Sequence, residues 1–387
     1  MKIIYGYSNC SDKKYEELMQ GKNIAILQPD QKYHGLLIKG LSKNTEKVEC
    51  LSGLPVNREL TSKILTKERD EQEGNIHYHY YTTLNLPILR HIMIFFGAFT
   101  NCIKAKKEKE TFALCDCLNI ANAYGMALAC KLRKIPIITI VTDLPNMMYG
   151  GKLLKGIGNN FFNIVDGYIF LTQQMNGVVN RKNKPYIVAE GHVDAGLQIV
   201  RENAKWENEN GKRVVIYAGA ISEMYGLKNL AEGFSLAKIP GSELWVFGDG
   251  DFKEELEKMG DGNVKYMGVC SNRVVVEQEQ KAALLINPRP TAPEYTKYSF
   301  PSKNMEYMVS GTPVMTTRLP GMPEEYIPYI YMIEEETAEG IADSLKKFFS
   351  ESAENRNEKG KRAREFVLKN KSNIVQAKRI IEFLRTF

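Results

Sequence analysis

Tyr298-Ser-Phe-Pro-Ser-Lys-Asn-Met-Glu-Tyr-Met-Val-Ser-Gly-Thr-Pro-Val314 reads as a polar loop, a helix start, a Gly-Thr-Pro break and an apolar strand. Ser302, just after Pro301, is placed to cap the helix. Lys303 then falls in the first turn, where a fixed cation opposes the positive helix end. A cation held there points to an anion nearby, and a helix N-terminus is itself a phosphate site. Glu306 follows one turn later on the same face. A Lys facing phosphate with a carboxylate one turn deeper suits a nucleoside diphosphate-sugar: charge for the phosphates, an acceptor for ribose hydroxyls. An ordinary capped surface helix with an i,i+3 ion pair has the same pattern.

The stretch resembles the C-terminal signature of the large retaining glycosyltransferase family of the family 4 type, which has the GT-B fold and includes sucrose synthases and bacterial polysaccharide transferases. That signature carries two Glu residues with an aromatic between them, then Ala/Ser-Gly-Xaa-Pro-Val. Glu306 matches the second Glu, Phe300 the aromatic, and Ser310-Gly-Thr-Pro-Val314 the ending. Tyr298 stands where the first Glu belongs, and Glu294 is the nearest carboxylate upstream. Together with Asn287-Pro-Arg-Pro290, the form is similar to a bacterial subgroup linked to surface-glycan assembly. The resemblance implies donor-binding roles for Ser302, Asn304, Glu306, Glu294 and Tyr298, with Lys303 and Arg289 on the diphosphate.

The rest of the chain fits two domains. Its 387 residues allow two cores of ordinary size. Apolar runs at 23–28, 112–115, 135–141, 168–171, 214–218, 244–248, 284–287 and 314–316 are separated by helical segments. Runs so short and apolar suggest parallel strands buried on both faces, the mark of a doubly wound α/β sheet. The polar segment 201–212, with Trp206 as its only large apolar residue, looks like the interdomain region. The expected architecture is GT-B: Rossmann-like domains at 1–200 and 201–370 facing across a cleft, and a final helix, 371–387. In the resembled family that helix returns to the N-terminal domain.

In the C-terminal half, Tyr217-Ala-Gly219 ends a strand, and 220–226 leads to a helix near Leu227. Glycines at such a turn let backbone N–H groups approach an anion. Gly219 and Gly226 lack the Gly-Xaa-Gly of a dinucleotide fingerprint. The family places an Arg and a Lys in this loop; Ala220 and Tyr225 occupy those positions here. The diphosphate charge then falls to Arg289 and Lys303. Asp249-Gly-Asp251 reads either as a turn, with Asp251 capping helix 252–259, or as a metal-holding pair. The turn is favoured, because the family carries a similar Gly-Asp-Gly without metal chemistry. By the same resemblance, backbone at Gly268 and Val269 contacts the base.

In the N-terminal half, 31–41 reads as a loop and helix, with His34 and Gly35 near the helix start. The family has a glycine pair here that approaches the sugar-diphosphate; Gly35 matches one, and His34 stands at the other. Strand 135–141 delivers Thr142 and Asp143 to the expected cleft. The family often carries His or His-Asp there, which implies that Asp143 orients or deprotonates the acceptor hydroxyl. Met147-Met-Tyr-Gly-Gly151 looks like a loop over the site, and Glu190-Gly-His-Val-Asp194 like a turn beside the hinge. Segment 87–103 with Lys104-Ala-Lys-Lys107 reads as a core helix with a basic end, or as a surface helix meeting anionic headgroups.

Composition narrows the partners. A net charge of +6 suits anionic substrates and is too diffuse to demand nucleic acid. Seven scattered cysteines argue for a reduced, cytoplasmic setting. No run approaches the ~20 apolar residues of a membrane span, so any membrane contact would be peripheral. The resemblance implies metal-independent retaining transfer from a nucleoside diphosphate-sugar to a hydroxyl of a glycan or lipid-linked acceptor. A nucleotide-sugar epimerase, or a sugar-nucleotide-binding protein without activity, is the alternative.

Overall fold

Strands Thr111–Asp116, Ile137–Val141 and Gly167–Phe170 are buried along their whole length, as parallel strands covered on both faces must be. The computed structural model describes residues 1–20, 28–56, 61–197, 212–259 and 262–387. The expected strand 23–28 and the expected interdomain segment 201–212, with Trp206, lie outside these residues except at Gln28 and Lys212.

The chain divides into two compact units, Met1–His192 with Asn373–Phe387, and Val193–Ser372. The first is built on an eight-stranded sheet. In order across the sheet the strands are Tyr186–Val188, Gly167–Phe170, Ile137–Val141, Thr111–Asp116, Lys2–Gly6, Lys47–Ser52, Ile76–Tyr80 and Glu71–Glu73. All pairings are parallel except the last. The second unit has a parallel six-stranded sheet in the order Val264–Gly268, Ser242–Phe247, Arg213–Ala218, Leu284–Asn287, Val314–Thr317, Tyr331–Ile333.

Lys47–Ser52 was not expected, because Glu49 breaks its apolar run. Glu49 is buried, and its charge is matched by Lys2 and Lys47, each at 2.9 Å. Helix Pro87–Lys104 is not a fully buried core helix. It buries Ile94, Ala98 and Cys102 and exposes Ile88, Ile92 and Phe96, one turn apart. Among the described residues, no helix is long and apolar enough to cross a membrane.

Gly35 does not sit at a helix start, since helix Gln28–Asn44 is already under way there. The same helix packs against the final helix, Asn373–Leu384. Asn373 Nδ2 donates to Leu36 O at 3.0 Å. At Gly40 the backbones come so close that a Cβ would stand 2.1 Å from Asn373 O, whereas a Cβ at Gly35 would meet nothing within 4 Å. Gly40→Ala should therefore destabilise by about 1–3 kcal/mol through overpacking. Gly35→Ala should stabilise by up to about 1 kcal/mol through helix propensity. Urea unfolding of both variants checks this; equal effects would overturn the packing account.

Candidate active site

The polar loops of the second unit lie at the carboxyl ends of its strands and are drawn together by glycines. A Cβ at Gly248 would meet Gly219 O at 1.8 Å, and one at Gly250 would meet Ile221 O at 1.9 Å. Gly226, at φ 83°, has Pro288 O where its Cβ would be, at 2.2 Å. The 219–226 loop is thus laid against the loop after Asn287.

That contact brings Tyr225 to Arg289. The guanidinium lies 4.9 Å from the Tyr225 ring centre and 5.4 Å from that of Tyr295. Among the described residues Arg289 has no carboxylate partner. Tyr225, where the resembled family has a cation, is therefore a platform for a cation supplied from the neighbouring loop. Tyr295 was not anticipated; an aromatic in a polar loop is its only sequence signal.

Helix Ser302–Ser310 opens differently from expectation. Pro301, in an extended conformation, takes the cap position, and Ser302 is the first helical residue. No side chain caps the helix; Asn304 N donates to Pro301 O at 3.0 Å, and the Ser302 and Lys303 amides remain available to a partner from outside. Lys303 Nζ and Glu306 Oε2 pair at 2.9 Å. Burial opposes the Lys303 charge, but the Glu306 and Glu279 carboxylates outweigh it and hold the ammonium pKa above its ordinary value. The Asn304 side chain does not reach solvent. It is buried, its Oδ1 accepts from Asn287 Nδ2 at 2.7 Å, and its Nδ2 lies 3.3 Å from Thr316 Oγ1. Its work is to pin the helix start to the strand end before Arg289.

Glu294 is exposed in the turn Glu294–Lys297, which Tyr298 ends. Val269 is exposed after Gly268, whose φ is 75°. Asp251 does not cap the next helix; Phe252 takes that position. Asp249 lies 3.4 Å from Lys253. Among the described residues no three His, Cys, Asp or Glu side chains form a metal-holding group.

In the first unit, Thr142 Oγ1 donates to Asp116 Oδ2 at 2.9 Å, and Leu118 N donates to Oδ1 at 2.7 Å. Asp116 is buried at the end of its strand. Burial raises its pKa to about 7, against the lowering by those two donors. His34 is not open to a phosphate. It is buried inside its helix, stacked on Tyr7 with ring centres 3.6 Å apart. Burial and nearby His192 keep it neutral, and burial keeps Tyr5 protonated. The Tyr5 hydroxyl, 2.5 Å away, therefore donates to Nδ1 and assigns the ring proton to Nε2, 3.6 Å from Asp116. Asp116 carries little signal in the sequence, where one acid at the end of an apolar run has no spaced partner. Thr142 and Asp143 are both half-buried at the next strand end. With its proton given to Asp116, the Thr142 oxygen is left to accept from a hydroxyl.

Residues 199–366, most of the second unit, match the family described as Glycosyl transferases group 1. No curated protein matches the chain in sequence. Among solved structures, Anabaena HepE in complex with UDP is 14% identical, with a TM-score of 0.66 and all of both chains covered. Sucrose-phosphate synthase from Thermosynechococcus elongatus is 13% identical, with a TM-score of 0.69, covering 100% of this chain and 98% of that one. A structure of trehalose-6-phosphate from E. coli bound with UDP-2-fluoro glucose is 10% identical, with a TM-score of 0.69, covering 100% of this chain and 99% of that one.

The chain is a glycosyltransferase. Its fold is GT-B, with the matched domain forming the unit that holds Arg289, Lys303 and Glu306.

An acid with a raised pKa keeps its proton in the folded state while the unfolded chain loses it. Asp116 therefore costs the glycosyltransferase stability as pH rises from about 4, the ordinary value, to about 7. Asp116→Asn removes that cost. Melting temperatures of variant and parent should diverge in the variant's favour between about pH 5 and 7, then run parallel. A constant difference across that range would mean that Asp116 titrates normally.

Proposed function

We propose that the enzyme transfers a sugar from a nucleoside diphosphate-sugar, UDP- or GDP-linked, to a hydroxyl of a glycan or lipid-linked acceptor in surface-polysaccharide assembly. Transfer proceeds with retention and without a metal. The observation that carries this reading is Arg289: a cation held between two aromatic rings, without a carboxylate, at the carboxyl edge of a parallel sheet. A guanidinium so placed has its edge free for bidentate bonds to phosphate. The uncapped start of helix Ser302–Ser310 and Lys303 add charge, and Glu306 accepts from the ribose. Gly219 and Gly226 let the loop backbone approach the donor, with Tyr298 and Glu294 at its rim and the Val269 backbone toward the base. UDP and a UDP-sugar analogue in the similar structures support a donor of this class.

In the reaction, the bond from the anomeric carbon to the leaving phosphate oxygen breaks. A bond from the same carbon to the acceptor oxygen forms on the same face. The acceptor proton passes to the leaving diphosphate. Charge on that diphosphate grows toward the transition state, so fixed cations lower the barrier more than they tighten binding. On the acceptor side, Thr142 and Asp143 orient the hydroxyl, with Asp116 holding Thr142 in place.

Arg289→Ala should lower turnover by roughly 10²–10³, with little change in KM. Arg289→Lys should rescue poorly, because an ammonium has neither the planar face for two rings nor the bidentate edge. Steady-state kinetics with the true donor decide it, and near-parental turnover in Arg289→Ala would sink the diphosphate role. Removing Glu306 also releases Lys303, so nucleoside binding is the cleaner measure of the ribose contact. Glu306→Ala should weaken uridine or guanosine by about 1.5–3 kcal/mol, tenfold or more by calorimetry. Equal nucleoside affinity in variant and parent would remove the ribose role.

A further inference from the structure

A groove of about 510 Å³ opens on the first unit between helix Lys152–Phe161, helix Gln173–Val179 and the residues just after Asp143. Its lining contains three cations, Lys152, Arg181 and Lys182, and no carboxylate. Among the described residues none of the three has an ion-pair partner. Asp166, near in sequence, is taken up elsewhere: it accepts from Lys131 Nζ at 2.5 Å and from Ile137 N at 3.0 Å. The charge is felt locally, because Lys182 adds to burial in lowering the pKa of Lys184. Leu144, Phe162, Tyr168 and Val179 make a buried apolar floor.

The surface around the groove is unusually apolar. Leu153 is 77% exposed, Met148 57%, Leu154 46% and Met147 45%. Neighbouring helices also expose apolar side chains. Tyr124 Oη donates to Ile157 O at 2.8 Å, joining this helix to Ile120–Arg133, which exposes Leu128 and Leu132. That helix packs on Pro87–Lys104, whose exposed stripe is Ile88, Ile92 and Phe96. Uncompensated cations over an apolar floor, inside an apolar surface, suit one ligand chemistry. The ligand is a phosphate carried on a hydrocarbon chain, presented by a lipid surface.

We infer that this groove seats the phosphate of an anionic membrane lipid, with Lys152, Arg181 and Lys182 as its ligands and the flanking leucines and methionines entering the bilayer. The inference rests on the proposed transfer to a lipid-linked acceptor and deepens it. The groove wall runs in sequence directly into Thr142 and Asp143, so a phosphorylated lipid seated there lies on the acceptor side.

The test is sedimentation of the full chain with vesicles of phosphatidylglycerol and phosphatidylcholine mixed, and of phosphatidylcholine alone. The parent should bind only the anionic vesicles. The triple variant Lys152→Glu, Arg181→Glu, Lys182→Glu should lose roughly a hundredfold in affinity. A charge-conserving triple, Lys152→Arg, Arg181→Lys, Lys182→Arg, should bind as the parent does, which separates loss of charge from loss of fold. Anionic-vesicle binding unchanged in the Glu triple, or equal binding to neutral vesicles, would overturn the proposal. So would full competition by millimolar inorganic phosphate, which would mark a site for the free anion. UDP affinity, measured on the same samples, should be the same in all three proteins. A parent that binds anionic vesicles but no nucleotide would count against the donor reading and leave the lipid groove standing.

Discussion

A parallel sheet covered on both faces leaves polar chemistry one outlet, the carboxyl ends of its strands. Both units obey that constraint. Asp116 ends one strand and Thr142 follows the next; Asn287 ends another, and Gly219 follows a fourth. Between them most strand residues are apolar and buried. Crowding every functional loop onto one edge requires backbones to touch, and that is where glycine is needed. Gly248 and Gly226 have carbonyls standing where a Cβ would lie. Without that approach, the loop carrying Tyr225 could not reach Arg289.

Arg289 and Lys303 are held in opposite ways. Lys303 is paired with Glu306 at 2.9 Å, so its charge is partly offset before any ligand arrives. Arg289 is held by ring faces, which steady a guanidinium without cancelling its charge. A phosphate meeting Arg289 gains the full interaction, while one meeting Lys303 must share it with a carboxylate. Glu306 freed of part of that pairing is in turn better able to accept from hydroxyls. On the proposed reading, the pair would exchange partners when a phosphate and a ribose arrive together.

The sequence made the apolar strands legible and hid the ones that carry charge. Leu284–Asn287 and Val314–Thr317 follow directly from short apolar runs. Lys47–Ser52 and Ile76–Tyr80 do not, since Glu49, His77 and His79 interrupt them, and the matching cation on Lys2 is remote in sequence. The same limit applies to the site. Lys303 and Glu306 are readable because helical spacing relates them. Tyr295 on Arg289, Asn304 on Asn287 and His34 beside Asp116 depend on which strand ends are neighbours, and periodicity does not say. Ser302 misled for a local reason: Pro301 has the extended conformation that a cap requires and took the position first.

Set side by side, the two units divide the electrostatic labour. Around Asp116 the groups are kept neutral or nearly so: a carboxyl near pKa 7, an unprotonated His34, protonated Tyr5 and Tyr7. Such a network fixes hydrogen-bond direction and, with the Asp30 and Asp143 carboxylates acting on it, offers little to a diphosphate. The second unit does the reverse, presenting Arg289 and an uncapped helix start and little that could steer a hydroxyl. Sugar transfer needs both properties, and each would disturb the other: a strong cation beside Asp116 would ionise it and turn a neutral network into a charged one. Placing them in separately cored units lets each environment be held by its own packing.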